Sequence, residues 1–209
     1  LVSSGARAGG TITVQNSRRV ALRDIFADNL TQAMNWRYVD GFEVDGFRCG
    51  HIGGEGIDFD STVRRGLLRG LHFDNPLGGP TGQALEIASG SGIVTQGLFA
   101  RNYLRALTIC DKSTTPPTYR EYVENAPVTQ QTVSGDLVFD GVDVEDCAPG
   151  GQAIAISANT GFAPARVAFA HLTMRRSGAI GAQPGLGLAL RHFAIRDARP
   201  PAGGSWGAI

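Results

Sequence analysis

The sequence predicts an all-β fold, a single-stranded parallel β-helix (solenoid) of about seven turns. Three observations predict it: a short hydrophobic meter that returns along the chain, a near-constant spacing between its copies, and a dominance of β-branched residues and glycine over any sustained helical period. The meter is a small or special residue, an apolar residue, any residue, and a second apolar one. Its copies begin with Asp24-Ile25-Phe26-Ala27, Gly46-Phe47-Arg48-Cys49, Gly70-Leu71-His72-Phe73 and Gly97-Leu98-Phe99-Ala100. They continue with Gly141-Val142-Asp143-Val144, His171-Leu172-Thr173-Met174 and His192-Phe193-Ala194-Ile195.

The first apolar residue of each copy serves as an anchor: Ile25, Phe47, Leu71, Leu98, Val142, Leu172 and Phe193. Successive anchors stand 22, 24, 27, 44, 30 and 21 residues apart. A step in the twenties is one solenoid turn, and the long step is a turn carrying an insertion of roughly twenty residues. Three positions before the anchors stand Leu22, Val44, Leu68, Thr95, Phe139, Phe169 and Leu190; five before stand Val20, Phe42, Gly66, Ile93, Leu137, Val167 and Leu188. Apart from Thr95 and Gly66 these are apolar, the alternation of strands with one buried face. The Gly or His just before an anchor marks a bend, where a missing side chain would admit close backbone approach. Four positions after the anchors, Asn29, Asn75, Asn102, Asp146 and Asp197 are residues that tolerate left-handed backbone and would stack into ladders.

A second strand precedes most anchors, in Thr11-Ile12-Thr13-Val14, Gly56-Ile57-Asp58-Phe59, Ala84-Leu85-Glu86-Ile87, Ala106-Leu107-Thr108-Ile109 and Ala153-Ile154-Ala155-Ile156. Residues Val20 to Tyr38 carry a competing pattern: Leu22, Ile25, Phe26, Leu30, Ala33 and Met34 also read as one face of an amphipathic helix covering the end of the stack.

The phrases Gly70-Leu71-His72-Phe73-Asp74-Asn75 and Gly141-Val142-Asp143-Val144-Glu145-Asp146-Cys147 resemble rungs of right-handed parallel β-helix proteins, the pectin-lyase-like superfamily. That superfamily includes pectate lyases, polygalacturonases, uronan epimerases and phage tailspikes. The resemblance spans roughly residues 11 to 198. It leaves 1–10 as a linker or the end of a preceding segment, 111–134 as a loop insertion, and 199–209 as a tail. Neither end shows a cap, so the reading expects a segment of a longer polypeptide, a processed product, or a subunit whose ends abut other domains. The Arg-x-Pro-x-x-Arg element of pectate lyases is absent, and so are the aspartate pair and Arg-Ile-Lys triplet of polygalacturonases.

Nineteen Lys plus Arg balance nineteen Asp plus Glu, so the net charge is zero and no basic stripe points to nucleic acid. No apolar run is long enough to span a bilayer. The 29 glycines fit many tight turns. Of the three cysteines, Cys49 takes an inward position; a Cys110–Cys147 bridge is open, and the spacings match no zinc pattern.

The resemblance implies that chemistry sits on an outward strand face, walled by long turn insertions. If Ile57, Phe59, Leu85 and Ile87 point inward, then Asp58, Asp60 and Glu86 point out, with Asp58 and Glu86 one rung apart. Carboxylates about 5 Å apart suit a retaining glycosidase and a wider gap an inverting one. The competing reading is a solvated polar strand face in which Arg37 neutralises Asp58. The insertion supplies a second candidate, with Tyr119 and Tyr122 stacking on sugars and Lys112, Arg120 and Asp111 beside them. His72 is expected outward, and His171 and His192 at bends.

The resemblance implies a carbohydrate-binding domain that cleaves an extended glycan by hydrolysis, with Asp58, Glu86 and Asp60 as catalytic residues. No cofactor is then needed, whereas a lyase would use calcium near the same acidic cluster, with Lys112 or Arg105 as the basic group. The alternative is a non-catalytic module of a spike, fibre or adhesin, trimeric as tailspikes are. Both place the protein outside the cell or on a virion, with a polysaccharide or cell-surface glycan as partner.

Overall fold

The computed structural model describes residues 11–75, 81–111, 135–158, 165–182 and 187–199. They form an all-β parallel solenoid, and no helix occurs among them. Strands β1 (Ile12–Ala27), β2 (Met34–Cys49) and β3 (Glu55–Asp74) each run nearly a full turn. From there each turn divides in two. Strands β4 (Gln83–Ile87), β6 (Arg105–Asp111), β8 (Gln152–Ala158) and β10 (Ala179–Ala182) stack on the first part of β3. Strands β5 (Gly90–Arg101), β7 (Gly135–Glu145), β9 (Ala165–Arg175) and β11 (Leu188–Arg196) stack on the second.

The register follows the sequence meter. The anchors pair Ile25 with Phe47, then Leu71, Leu98, Val142, Leu172 and Phe193 in turn. The solenoid has about six turns, one fewer than the seven the repeat predicts. The columns three and five positions before the anchor are continuous as well. The second strand is continuous too: Ile12, Met34, Ile57, Leu85, Leu107, Ile154 and Ile180 form one column. Its Met34 copy falls inside the stretch that also reads as a helix. Pairing decides that ambiguity, since Val20 through Ala27 bond rung to rung with Phe42 through Cys49, and an isolated helix would leave its inward columns unmatched.

The core is the sum of these columns, with Phe47, Phe59, Phe73, Phe139, Phe169 and Trp36 among its largest buried side chains. Both pattern breaks are absorbed locally. Gly66 has no side chain because the Phe42 ring of the preceding rung occupies its place; a Cβ there would lie 1.9 Å from Phe42 Cζ. Thr95 is fully buried and fills its inward position with a side chain the shape of valine, although its hydroxyl has no hydrogen-bond partner.

The bends are where the sequence places them, for a different reason than expected. Asp24, Gly46, Gly70, Gly97, Gly141, His171 and His192 all have left-handed backbone. A Cβ at Gly70, Gly97 or Gly141 would meet only backbone atoms at 3.7 to 3.9 Å, an ordinary contact, so close approach is not what glycine provides there. In the polar corner column, Asn29, Asn102, Asp146 and Asp197 are left-handed, joined by Arg176. An amide ladder links Asn102 Nδ2 to the carbonyl of Asn75 at 2.7 Å and Asn75 Nδ2 to that of Asn102 at 3.2 Å.

The three cysteines are free and buried, so the open Cys110–Cys147 pairing is not made. Cys147 Sγ lies near the carbonyls of Ala100 and Glu145, whereas Cys110 Sγ points to Glu86 on another face. Burial pushes the Cys49 thiol up to about 12 and the Cys147 thiol up to about 11, which keeps both protonated and unreactive. Among the described residues, no helix is long and apolar enough to cross a membrane.

Candidate functional site

Ile57, Phe59, Leu85 and Ile87 are fully buried, which turns Asp58, Asp60 and Glu86 to the other face. Asp58 and Glu86 are rung-to-rung neighbours. They belong to an outward column that runs Asn35, Asp58, Glu86, Thr108. Glu55, Gln83 and Arg105 form a parallel column three residues earlier on the same strands.

The two columns hold each other through amide groups. Asn35 Nδ2 donates to Asp58 Oδ2 at 2.8 Å, and Gln32 Nε2 donates to both Asp58 Oδ2 and Glu55 Oε2 at 3.2 Å. On the next rung Gln83 Nε2 donates to Glu86 Oε2 at 2.9 Å, while Thr108 Oγ1 donates to Gln83 Oε1. Cys110 Sγ donates to Glu86 Oε1 at 3.7 Å. Each carboxylate is thus oriented by a neutral amide, which fixes geometry without discharging the group.

Burial is the main influence that pushes the Glu86 carboxyl above the ordinary carboxylate range, and the Glu55 carboxylate adds to it. Cys110, Arg105 and Gln83 oppose the shift without cancelling it. A carboxyl raised by burial beside a second carboxylate is the kind of pairing from which general acids are made.

Asp60 behaves differently. Arg37 Nη2 meets its Oδ2 at 2.6 Å, so the arginine expected to neutralise Asp58 is bound to Asp60 instead. A register shift between Trp36 and Arg37 explains the change of partner, since it sets Arg37 opposite Ser61 and beside Asp60. Asp58 and Asp60 are only 7% and 6% exposed, more enclosed than a solvated strand face would leave them. Asp111 ends β6, with its backbone opposite Ala158. Lys112, Tyr119, Arg120 and Tyr122 lie outside the described residues. Among the described residues no cluster of three or more His, Cys, Asp or Glu side chains could hold a metal ion.

Glu55, Gln32 and Gln83 were missed by reading acids alone. Their signal is a repeated spacing: Gln32-x-x-Asn35, Glu55-x-x-Asp58, Gln83-x-x-Glu86 and Arg105-x-x-Thr108 recur once per turn.

The other outward face of the molecule carries His72, exposed as expected and stacked on Phe99 with ring centres 4.7 Å apart. Below it, the His171 and His192 rings stack at 5.1 Å, and His171 Nδ1 lies 2.8 Å from Asp140 Oδ1. Ion pairs also bridge successive rungs, with Arg101 on Asp74 at 2.6 Å and Arg175 reaching Asp143, a member of the His72 and Phe99 column, at 3.0 Å. No protein-family model, curated protein or solved structure matches the chain.

Proposed function

We propose that this solenoid belongs beside the pectin-lyase-like and tailspike proteins as a glycan-binding domain that hydrolyses an extended polysaccharide outside the cell or on a virion. The observation that carries the reading is Glu86, a carboxyl whose proton affinity is raised by burial and by Glu55, one rung from Asp58. Glu86 would donate its proton to the glycosidic oxygen. Asp58, oriented by Asn35 and Gln32, would act as the ionised partner. Asp60 is tied to Arg37, so its assisting place passes to Glu55.

Reducing-end release from a panel of bacterial capsular and plant polysaccharides tests this, with absorbance read for unsaturated products. Release without new absorbance that drops by two orders of magnitude or more in Glu86→Gln would agree with general acid catalysis. Equal turnover in that variant would remove Glu86 from the mechanism. Release with absorbance would indicate a lyase.

One observation favours a second reading, a non-catalytic shaft or attachment module. Asp58 and Asp60 are enclosed and held as structural polar ladders are. That reading expects a trimer in light scattering and no release from any polysaccharide.

A further inference from the structure

Two corner columns of the solenoid have left-handed backbone, and they are filled differently. Six positions before the anchor, Arg19, Arg65, Asp136 and Arg166 hold φ between 54° and 56° with full side chains. The fold therefore does not require glycine at such a corner. One position before the anchor, Asp24, His171 and His192 do the same. Between them, Gly46, Gly70, Gly97 and Gly141 occupy four successive rungs. Room for a side chain exists at Gly70, Gly97 and Gly141, and it is left open.

What this opens is a groove of about 590 Å³ along the axis. Gly70, Gly97 and Gly141 form its floor, and Arg48, His72, Phe99 and Asp143 form one wall. The wall residues are successive members of one column, so the groove advances by one rung per residue. His171, stacked on His192, stands at the corner position of the next rung.

The chemistry of the wall restricts the occupant. Strands β3, β5 and β7 already bond to neighbours on both sides, which excludes recognition by strand addition. Asp143 at one end of the wall is engaged by Arg175 at 3.0 Å, whereas the exposed Arg48 at the other end has no side-chain partner among the described residues. It pairs in register with His72, so two groups able to donate to an anion stand one rung apart over a floor without side chains.

We propose that the groove is a binding site for an anionic sugar chain, its carboxylate or sulfate held by Arg48 and His72 and its rings lying along the glycine floor. The site is on a different column from Glu86. It rests on the glycan reading above, and it needs no cleavage.

The test is calorimetric titration with chondroitin oligosaccharides in three forms: sulfated, unsulfated, and unsulfated with the carboxyls reduced. The variants are Arg48→Gln, Gly97→Asn and Gly92→Asn. Asparagine tolerates left-handed backbone, so Gly97→Asn fills the groove with little strain. Gly92→Asn makes the same change at the other corner, and circular dichroism verifies the fold of each. The expected result is binding of one or both anionic forms by the parent, weakened about tenfold or more in Arg48→Gln and Gly97→Asn and unchanged in Gly92→Asn. Loss for unsulfated oligomers on carboxyl reduction assigns the carboxylate; binding of sulfated oligomers alone assigns the sulfate. Equal binding of charged and reduced oligomers would overturn the anion site. Parent-like binding in both groove variants would overturn the groove and leave the glycan reading standing. Failure of every oligosaccharide to bind the parent would overturn the anion site, and the glycan reading would then stand or fall on the polysaccharide panel alone.

Discussion

Facing in from β3, Ile57, Phe59, Val63, Leu68 and Leu71 share one core with the rungs on either side. Facing out, Asp58, Arg65, Arg69 and His72 meet neighbours one rung away through polar atoms or ring faces. The inward columns conserve volume: where one rung gives up a side chain at Gly66, the previous rung supplies Phe42 to fill the space. The outward columns conserve pairing, as when Arg37 moves to Asp60 and Asn35 and Gln32 take over Asp58. Volume is shared between rungs and cannot be altered on one alone, whereas a polar partner can be exchanged for another.

The strongest way to break that contrast is at Phe42. Its ring lies 5.2 Å from both Trp36 and Phe59 as well as covering Gly66. Phe42→Ala is expected to lower stability by about 3–5 kcal/mol in urea unfolding. Gly66→Ala, which drives a methyl into the ring, should cost about 1–3 kcal/mol. Combining Phe42→Ala with Gly66→Leu returns the missing volume from the other rung and should recover part of the loss. Additive costs in the combined variant would show that the two positions do not share one space.

Thr95 sharpens the same rule with a smaller effect of opposite sign. Its hydroxyl is buried without a partner, and the column needs only its shape. Thr95→Val should therefore raise stability by about 1 kcal/mol in the same assay. A loss instead would show that the hydroxyl is satisfied by something the volume rule ignores, such as a buried water.

The contrast also explains what was legible in the sequence. The inward columns could be read because burial enforces apolar residues at a strict period, and a one-residue slip would turn Ile57 or Leu98 to solvent. Even the misfits Gly66 and Thr95 were visible as misfits, although nothing in the sequence tells that Phe42 compensates for the first. The adjacency of Asp58 and Glu86 was legible for the same reason, being fixed by the inward residues that flank them. Their partners were not. Whether Arg37 reaches Asp58 or Asp60 depends on one register shift, and whether Gln32 reaches Glu55 depends on side-chain reach, and neither leaves a period. The helical pattern from Val20 to Tyr38 misleads because a bend between two strands can mimic helical spacing over one turn.

The smallest effect tests whether the outward face is kept for something other than stability. Glu86 has its carboxyl raised in the folded protein above the ordinary value of 4.5, by burial first and by Glu55 second. The folded state therefore binds this proton more tightly than the unfolded chain does. The contribution of Glu86 to stability is complete below the ordinary value and is lost as pH rises through the raised one. Glu86→Gln keeps the shape and removes the titration, so it should unfold at higher urea than the parent at neutral pH and lose that advantage toward pH 4. Parallel profiles for the two proteins would mean that Glu86 ionises without cost, and the argument for it as a proton donor would fall with that result. A stabilised variant would mean that this position holds a carboxyl at the expense of the fold, which a purely structural ladder has no reason to do.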